Sequence, residues 1–280
     1  MRAGRPPSAR ELAATAREAA RRAGELQMQH FRRGPAIRAH TLHDVKLATD
    51  RLCEAAVVET VRSRFPDHAV LGEEGGEIPG DGGYLWIVDP LDGTVNFLQG
   101  LPFFCAAVAC YRRNGASPPT PVAGAVFLPF SGEMFSAVAG RGGEVNGTPL
   151  RRREGVSPER AVVSVSFGKT EPLMRRMARR LAHLLPRVRK ARCLGAAAGE
   201  LAYIAAGYLD GLFYEGIRLW DFAAGRILVE EAGGFFAARE TAPGEWQVAA
   251  GAPGLEALLA PRPAGAGGGS SLRKRRPVIR

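Results

Sequence analysis

With 280 residues, 46% hydrophobic and 24% charged, the chain can bury a substantial core, which excludes a disordered or fibrous protein. Four cysteines without metal-like or redox spacing exclude a disulfide framework, no apolar run reaches membrane length and the N-terminus lacks a signal-peptide core, so reduced core cysteines and a cytoplasmic location are expected. The formal charge of +10 invites a polyanionic partner, but six basic residues lie within 262–280 and eight within 173–192, with no acid in either stretch, so the rest of the chain is net negative.

Ser8 and Glu11 make a capping box, and Leu12, Ala16, Ala19, Ala23 and Leu26 form an apolar stripe, predicting a helix to about Phe31 that Gly34-Pro35 ends. A second helix is expected over 50–64, with Asp50 in its first turn. Residues 69–72 read as a short buried strand that runs into the paired acids Glu73 and Glu74 on a glycine loop. Strands are expected at 84–88, 104–111, 122–128 and 133–139, with Asn146-Gly147 as a hairpin turn. From Ala161 the pattern alternates: strand 161–166, helix 171–185, strand 191–194, helix 196–206, strand 209–214 and helix 220–231. The expected fold class is α/β, with an α+β N-terminal lobe over 1–158 and an α/β C-terminal lobe over 159–260. A disordered, basic Gly/Ser-rich tail is expected over 261–280.

The chemistry concentrates in Trp86-Ile87-Val88-Asp89-Pro90-Leu91-Asp92-Gly93-Thr94. An apolar strand ends in two carboxylates, and Pro90 is expected to stop its ladder by removing a donor. Hard oxygen ligands this close suit Mg²⁺, which takes few protein ligands and leaves places for water and substrate phosphate. Gly93 permits close backbone approach, and Thr94 can open a helix whose N–H groups bind anions. An Asp-Gly turn alone is equally well simple punctuation. Glu73 offers a further carboxylate from the acid loop, and Asp221 another from the first turn of the last helix, where a plain helix cap is the alternative. The five histidines show no metal spacing and are expected as surface or capping residues.

Together, the acid loop Gly72-Glu73-Glu74, the strand-turn from Trp86 to Phe97 and the segment from Trp220 to Gly234 resemble the inositol monophosphatase family in kind and in order. The resemblance spans roughly residues 11–260 and implies a layered αβαβα sandwich, two metals between the lobes and a homodimer. It implies Mg²⁺ as cofactor, with Glu73, Asp89, the Leu91 carbonyl and Thr94 serving one ion and Asp89, Asp92 and Asp221 the other. Asp50, closing the segment 44–50, would orient the attacking water with Glu73 and Thr94, while the N–H groups of Gly93 and Thr94 would take the phosphoryl oxygens. The implied reaction is hydrolysis of a small phosphomonoester, inositol monophosphate-like, by metal-activated water.

Two departures bear on substrate. Where inositol-phosphate members carry a glutamate four positions before Arg218, this chain has Tyr214, with Glu215 one residue later, and a shift of one turns a strand side chain to the other face unless a bulge intervenes. Gly195 is followed by three alanines where a hydroxyl residue is common. Arg218 and Glu215 remain substrate-contact candidates, and Lys169 is a further anion candidate. Nucleotide bisphosphate, histidinol phosphate and sugar phosphate stay open as substrates. So does a catalytically idle, nucleic-acid-associated regulator whose basic tail binds polyanions weakly and nonspecifically.

Overall fold

The computed structural model describes residues 6–34, 37–40, 45–115, 117–151 and 153–260. The tail expected over 261–280, the helix stop at Pro35 and Asp44 at the head of the segment 44–50 lie outside them.

Helix α1 (Ala9–His30) starts as expected: the Ser8 hydroxyl accepts from the Glu11 N–H at 3.2 Å and the Glu11 carboxylate accepts the Ser8 N–H at 2.7 Å. A hairpin of β1 (Ile37–His40) and β2 (Val45–Leu47) leads into α2 (Ala48–Arg64). Then come β3 (Ala69–Gly72), β4 (Gly76–Ile78), β5 (Tyr84–Asp92), the short α3 (Thr94–Gln99), β6 (Cys105–Asn114), β7 (Ser117–Leu128), β8 (Glu133–Val138), β9 (Gly143–Val145) and β10 (Thr148–Pro149). Seven pairings join β3 to β10 into one sheet, ordered β10-β9-β8-β7-β6-β5-β3-β4, parallel at β3/β5 and antiparallel elsewhere. The remaining elements are β11 (Val162–Val165), α4 (Glu171–Leu184), β12 (Lys190–Arg192), α5 (Ala197–Ala206), β13 (Gly211–Ile217), α6 (Trp220–Glu231), β14 (Phe235–Ala242), β15 (Glu245–Gly251) and α7 (Glu256–Leu259). Their strands form a sheet ordered β12-β11-β13-β15-β14, parallel among the first three.

Five layers follow from where the apolar faces point. Leu12, Ala16 and Ala23 of α1 and Val57 of α2 bury against Trp86, Val88 and Val108 on one face of the larger sheet. On its other face, Ala202 of α5 and Ala224 and Ile227 of α6 meet Ile87, Ala107 and Val126. The same two helices present Leu201, Phe222 and Val229 to Leu212 and Val248 of the smaller sheet. That sheet's far face carries Leu173 and Met177 of α4 and Leu259 of α7. The order is αβαβα, the layered α/β class expected. Helices α5 and α6 carry apolar residues on two faces because each lies between the sheets, while α6 keeps a polar strip with the Arg226–Glu230 pair.

Several expectations are corrected. Pro90 does not end its strand: β5 continues to Asp92, with the register against β6 passing from Asp89↔Ala107 to Asp92↔Cys105. One extra residue on β5 makes a bulge, where the missing N–H costs no ladder bond, and the Pro90 carbonyl accepts from Gln27 Nε2 at 2.8 Å. The hairpin β14–β15 was not anticipated. His68 is a core residue, stacked on Phe65 and Tyr84, with the Trp86 indole N–H donating to its Nδ1 at 3.0 Å. Cys193 is exposed while the other three cysteines are buried.

Candidate active site

The acid loop is held from below by a residue that the sequence reading passed over. Glu54, buried on α2, accepts the N–H groups of Glu74 at 2.8 Å and Gly75 at 2.6 Å. A Cβ on Gly72 would stand 2.4 Å from the Glu54 carboxylate, so glycine there is what lets the anchor reach the loop. The signal was available: Glu54 lies four residues after Asp50, on the same helix face. Asp50 caps the start of α2, its Oδ2 accepting the Leu47 N–H at 2.7 Å, while its buried Oδ1 has no partner among the described residues. The helix-start role expected for Asp50 is thus present, and its second oxygen carries no protein hydrogen bond among the described residues.

The bulge at Pro90 aims the strand's carboxylates. Asp89 Oδ1 accepts the Leu91 N–H at 3.1 Å, and the Thr94 hydroxyl donates to the Leu91 carbonyl at 3.0 Å. Gly93 follows with φ +86, and a Cβ there would lie 3.0 Å from the Phe103 carbonyl, so both backbone angle and space require glycine. Just beyond, the Asn96 amide donates to the carbonyls of Phe103 at 2.8 Å and Leu194 at 2.6 Å, tying the turn to the chain ahead of α5. Asp221, in the first turn of α6, accepts the Arg218 N–H at 2.7 Å.

Glu73, Asp89 and Asp221 each bring a carboxylate oxygen within 4.8 Å of the others. Asp92 is turned differently: its Oδ2 accepts the N–H groups of Ala198 at 2.7 Å and Gly199 at 3.4 Å at the start of α5. These contacts engage one oxygen of Asp92, and Asp92 is not among the three converging carboxylates.

The cluster lacks positive charge of its own, and its proton affinities record this. Burial, then Glu73, Asp92 and Asp221, push the Asp89 carboxyl well above the usual range, against the Leu91 N–H. Burial and then Asp221 raise Asp92 to about 8, and burial and then Glu73 raise Asp221 to about 7. Asp50 is raised to about 7, by burial first and then by Glu74 and Glu73, against the Leu47 N–H. The Lys46 ammonium pairs with Glu73 and Glu74, and Lys169 in the cleft lining adds a further positive charge near Asp221. Burial works against the charge on Lys46, but the two glutamates outweigh it and hold the lysine above its ordinary value. A compact set of hard oxygen donors, one buried unpartnered oxygen and a stand-in ammonium fit a divalent cation.

A cleft of about 280 Å³ adjoins the cluster, lined by Glu73, Asp89, Leu91, Asp92, Gly93, Thr94, Lys169, Tyr214, Glu215 and Asp221 among others. It lies at the carboxyl ends of β11, β12 and β13, where α/β sheets characteristically bind ligands. The bulge in β13 falls after Glu215, at Gly216, rather than before it. Tyr214 therefore keeps its place in the smaller sheet's core and donates its hydroxyl to Glu200. Glu215 accepts from Arg176 Nε at 2.9 Å and from Gln247 at 3.3 Å. Two arginines of the basic helix α4 thus pack inward: Arg176 binds Glu215, and Arg180 stacks 4.5 Å from the Phe213 ring centre. Arg218 is not in the cleft lining; its side chain reaches toward Glu245 at 3.6 Å.

Comparison with known proteins agrees with this geometry. The chain is 37% identical over 220 residues to the Nus factor SuhB of Escherichia coli K12, spanning 77% of this chain and 80% of the relative. Against the Nus factor SuhB of Pseudomonas aeruginosa it is 37% identical over 227 residues, spanning 77% and 81%. The solved extragenic suppressor protein suhB of Bartonella henselae superposes with a TM-score of 0.80 at 29% identity, covering 89% of this chain and 96% of that one. An inositol monophosphatase from Anabaena superposes at 0.74 with 31% identity, covering 89% and 94%. A profile of the inositol monophosphatase family matches residues 8–262, and the chain belongs to that family.

Proposed function

We propose that the chain is a Mg²⁺-dependent phosphomonoesterase acting on a small phosphorylated alcohol of the inositol monophosphate kind. The observation that carries this reading is the convergence of Glu73, Asp89 and Asp221 within 4.8 Å beside a cleft bordered by the Gly93–Thr94 turn. Glu73, Asp89 and Asp221, with the remaining oxygen of Asp92, would hold the ion. A divalent ion held there would supply positive charge to the phosphoryl and leaving oxygens and would lower the pKa of a water at the site. The N–H groups of Gly93 and Thr94 take phosphoryl oxygens, and Lys169 adds charge from the opposite wall. Thr94 Oγ1 donates to the Leu91 carbonyl, which leaves its lone pairs to accept from the attacking water. Asp50 supports the same water through Oδ1. Glu215, fixed by Arg176, is the candidate contact for a substrate hydroxyl, while Arg218 positions Asp221 through its backbone N–H. A homodimer is part of the reading, and sedimentation of the full chain tests it.

The name Nus factor carried by relatives favours a second reading, a regulatory binding protein with little turnover. Phosphate release from inositol phosphates, histidinol phosphate, adenosine bisphosphate and fructose bisphosphate, each with Mg²⁺ and with chelator, separates the two. Metal-dependent turnover of one compound supports the enzyme and selects its substrate. Silence across the panel with intact fold favours the regulator.

A further inference from the structure

A cavity of about 750 Å³, larger than the carboxylate cleft, lies apart from it. The cavity sits at the opposite edge of the same parallel strands. Ser157 and Arg160 precede β11, Arg189 precedes β12 and Asp210 precedes β13, whereas the cleft gathers residues after β11 and β12 and at the carboxyl end of β13. Arg153 forms the floor. Its Nη2 donates to Asp210 Oδ1 at 2.9 Å and more weakly to the Leu209 carbonyl at 3.4 Å, and its Nε is buried with no partner among the described residues. Asp210 is committed twice, since its Oδ2 also accepts the Val162 N–H at 2.8 Å. Arg151, Arg160 and Arg189 stand exposed around the floor, and among the described residues none of the three makes an ion pair. Glu154 is the one other acid in the lining.

Four guanidinium groups lining one concavity repel one another, and with Asp210 paired to Arg153 and Glu154 the only other acid, four positive against two negative charges leave a surplus of two among the described lining residues. Guanidinium groups match the geometry of phosphate and carboxylate, binding both in paired hydrogen bonds. The volume falls in the range of small-molecule sites, roughly 300–1,000 Å³. No aromatic side chain lines it, so it lacks the platform on which single-stranded nucleic acid stacks its bases. We propose that this cavity binds a small polyanion, a molecule carrying two or more adjacent phosphate or carboxylate groups, at a site separate from the carboxylate cleft and independent of the reaction assigned there.

Titration of the full chain with tripolyphosphate in chelator, followed by calorimetry, tests this. Saturable binding of one tripolyphosphate per chain is expected, weakened at least tenfold in Arg160→Ser/Arg189→Ser and unchanged in Lys169→Ala, which removes a cleft cation instead. The double variant alters exposed side chains only, and its phosphate release and melting temperature are expected to match the parent. Tripolyphosphate that binds the double variant and the parent equally, or shows no saturation with the parent, overturns the proposal. Displacement of tripolyphosphate by a single-stranded RNA oligonucleotide at lower concentration than by pyrophosphate also overturns it, transferring the surface to nucleic acid.

Discussion

Lys46 and Glu73 form an ion pair within the carboxylate cluster, with Glu74 closing on the same ammonium. Glu73 is also one of the three carboxylates placed to hold a divalent ion, so the lysine and the ion compete for one anion. Lys46→Met is expected to tighten Mg²⁺ binding by roughly fivefold, the effect of removing about 1 kcal/mol of pairing from a partly exposed site. Calorimetric titration with Mg²⁺ checks it; unchanged or weaker affinity would show that Lys46 supports the loop instead of competing.

The same cluster fixes a pH dependence. Asp50, Asp92 and Asp221 have folded-state pKa values of about 7, about 8 and about 7 against an ordinary 3.8. Each binds its proton more tightly folded than unfolded, so the stability this contributes is present at low pH and is lost as pH rises toward 8. Melting in chelator is expected to drop by several degrees between pH 5 and pH 8. Asp221→Asn should flatten that slope and raise the melting temperature at pH 8, while abolishing phosphate release. A chelated parent equally stable at both pH values would refute the crowding of charge.

Glu54 is expected to act on catalysis only through the loop it anchors. Glu54→Gln keeps the shape but weakens two charge-assisted bonds to the N–H groups of Glu74 and Gly75. We expect a loss of roughly 1–3 kcal/mol in stability. Faster amide exchange at Glu74 and Gly75 and weaker Mg²⁺ binding should accompany it. Loss of turnover without faster exchange at those two amides would mean that Glu54 acts elsewhere.

Gly93→Ala tests the turn. A side chain at φ +86 and 3.0 Å from the Phe103 carbonyl is expected to cost about 1–2 kcal/mol in urea unfolding and to lower phosphate release at saturating substrate. Full activity in this variant would remove the Gly93 backbone from the phosphate site.

What was legible in the sequence was the local chemistry. The Ser8–Glu11 box, the Asn146-Gly147 turn and the bounds of α6 are written in residue types that fix backbone angles or cap helices, and the structure has all three. The strand-turn with Asp89, Asp92 and Thr94 was legible because its residues are adjacent in the chain. The hairpin β14–β15 was not: β14 is an edge strand in which two phenylalanines are followed by Ala-Ala-Arg-Glu-Thr-Ala, half-exposed or exposed throughout, with little alternation. Pro90 misled because a proline was taken to end a ladder that a bulge carries past it. Glu54, His68 and Lys46 were missed or misread because their roles depend on partners from other elements, which residue type and spacing do not encode.

The donors of the candidate ion site come from different layers of the molecule. Glu73 and Asp89 project from the end of the larger sheet, and Asp221 from a helix sandwiched between both sheets. An ion chelated by all three is a clasp across that sandwich. A fragment without the larger sheet loses two of these ligands and one without α6 loses the third, so the capacity to chelate reports that the sheet and this helix have folded against each other.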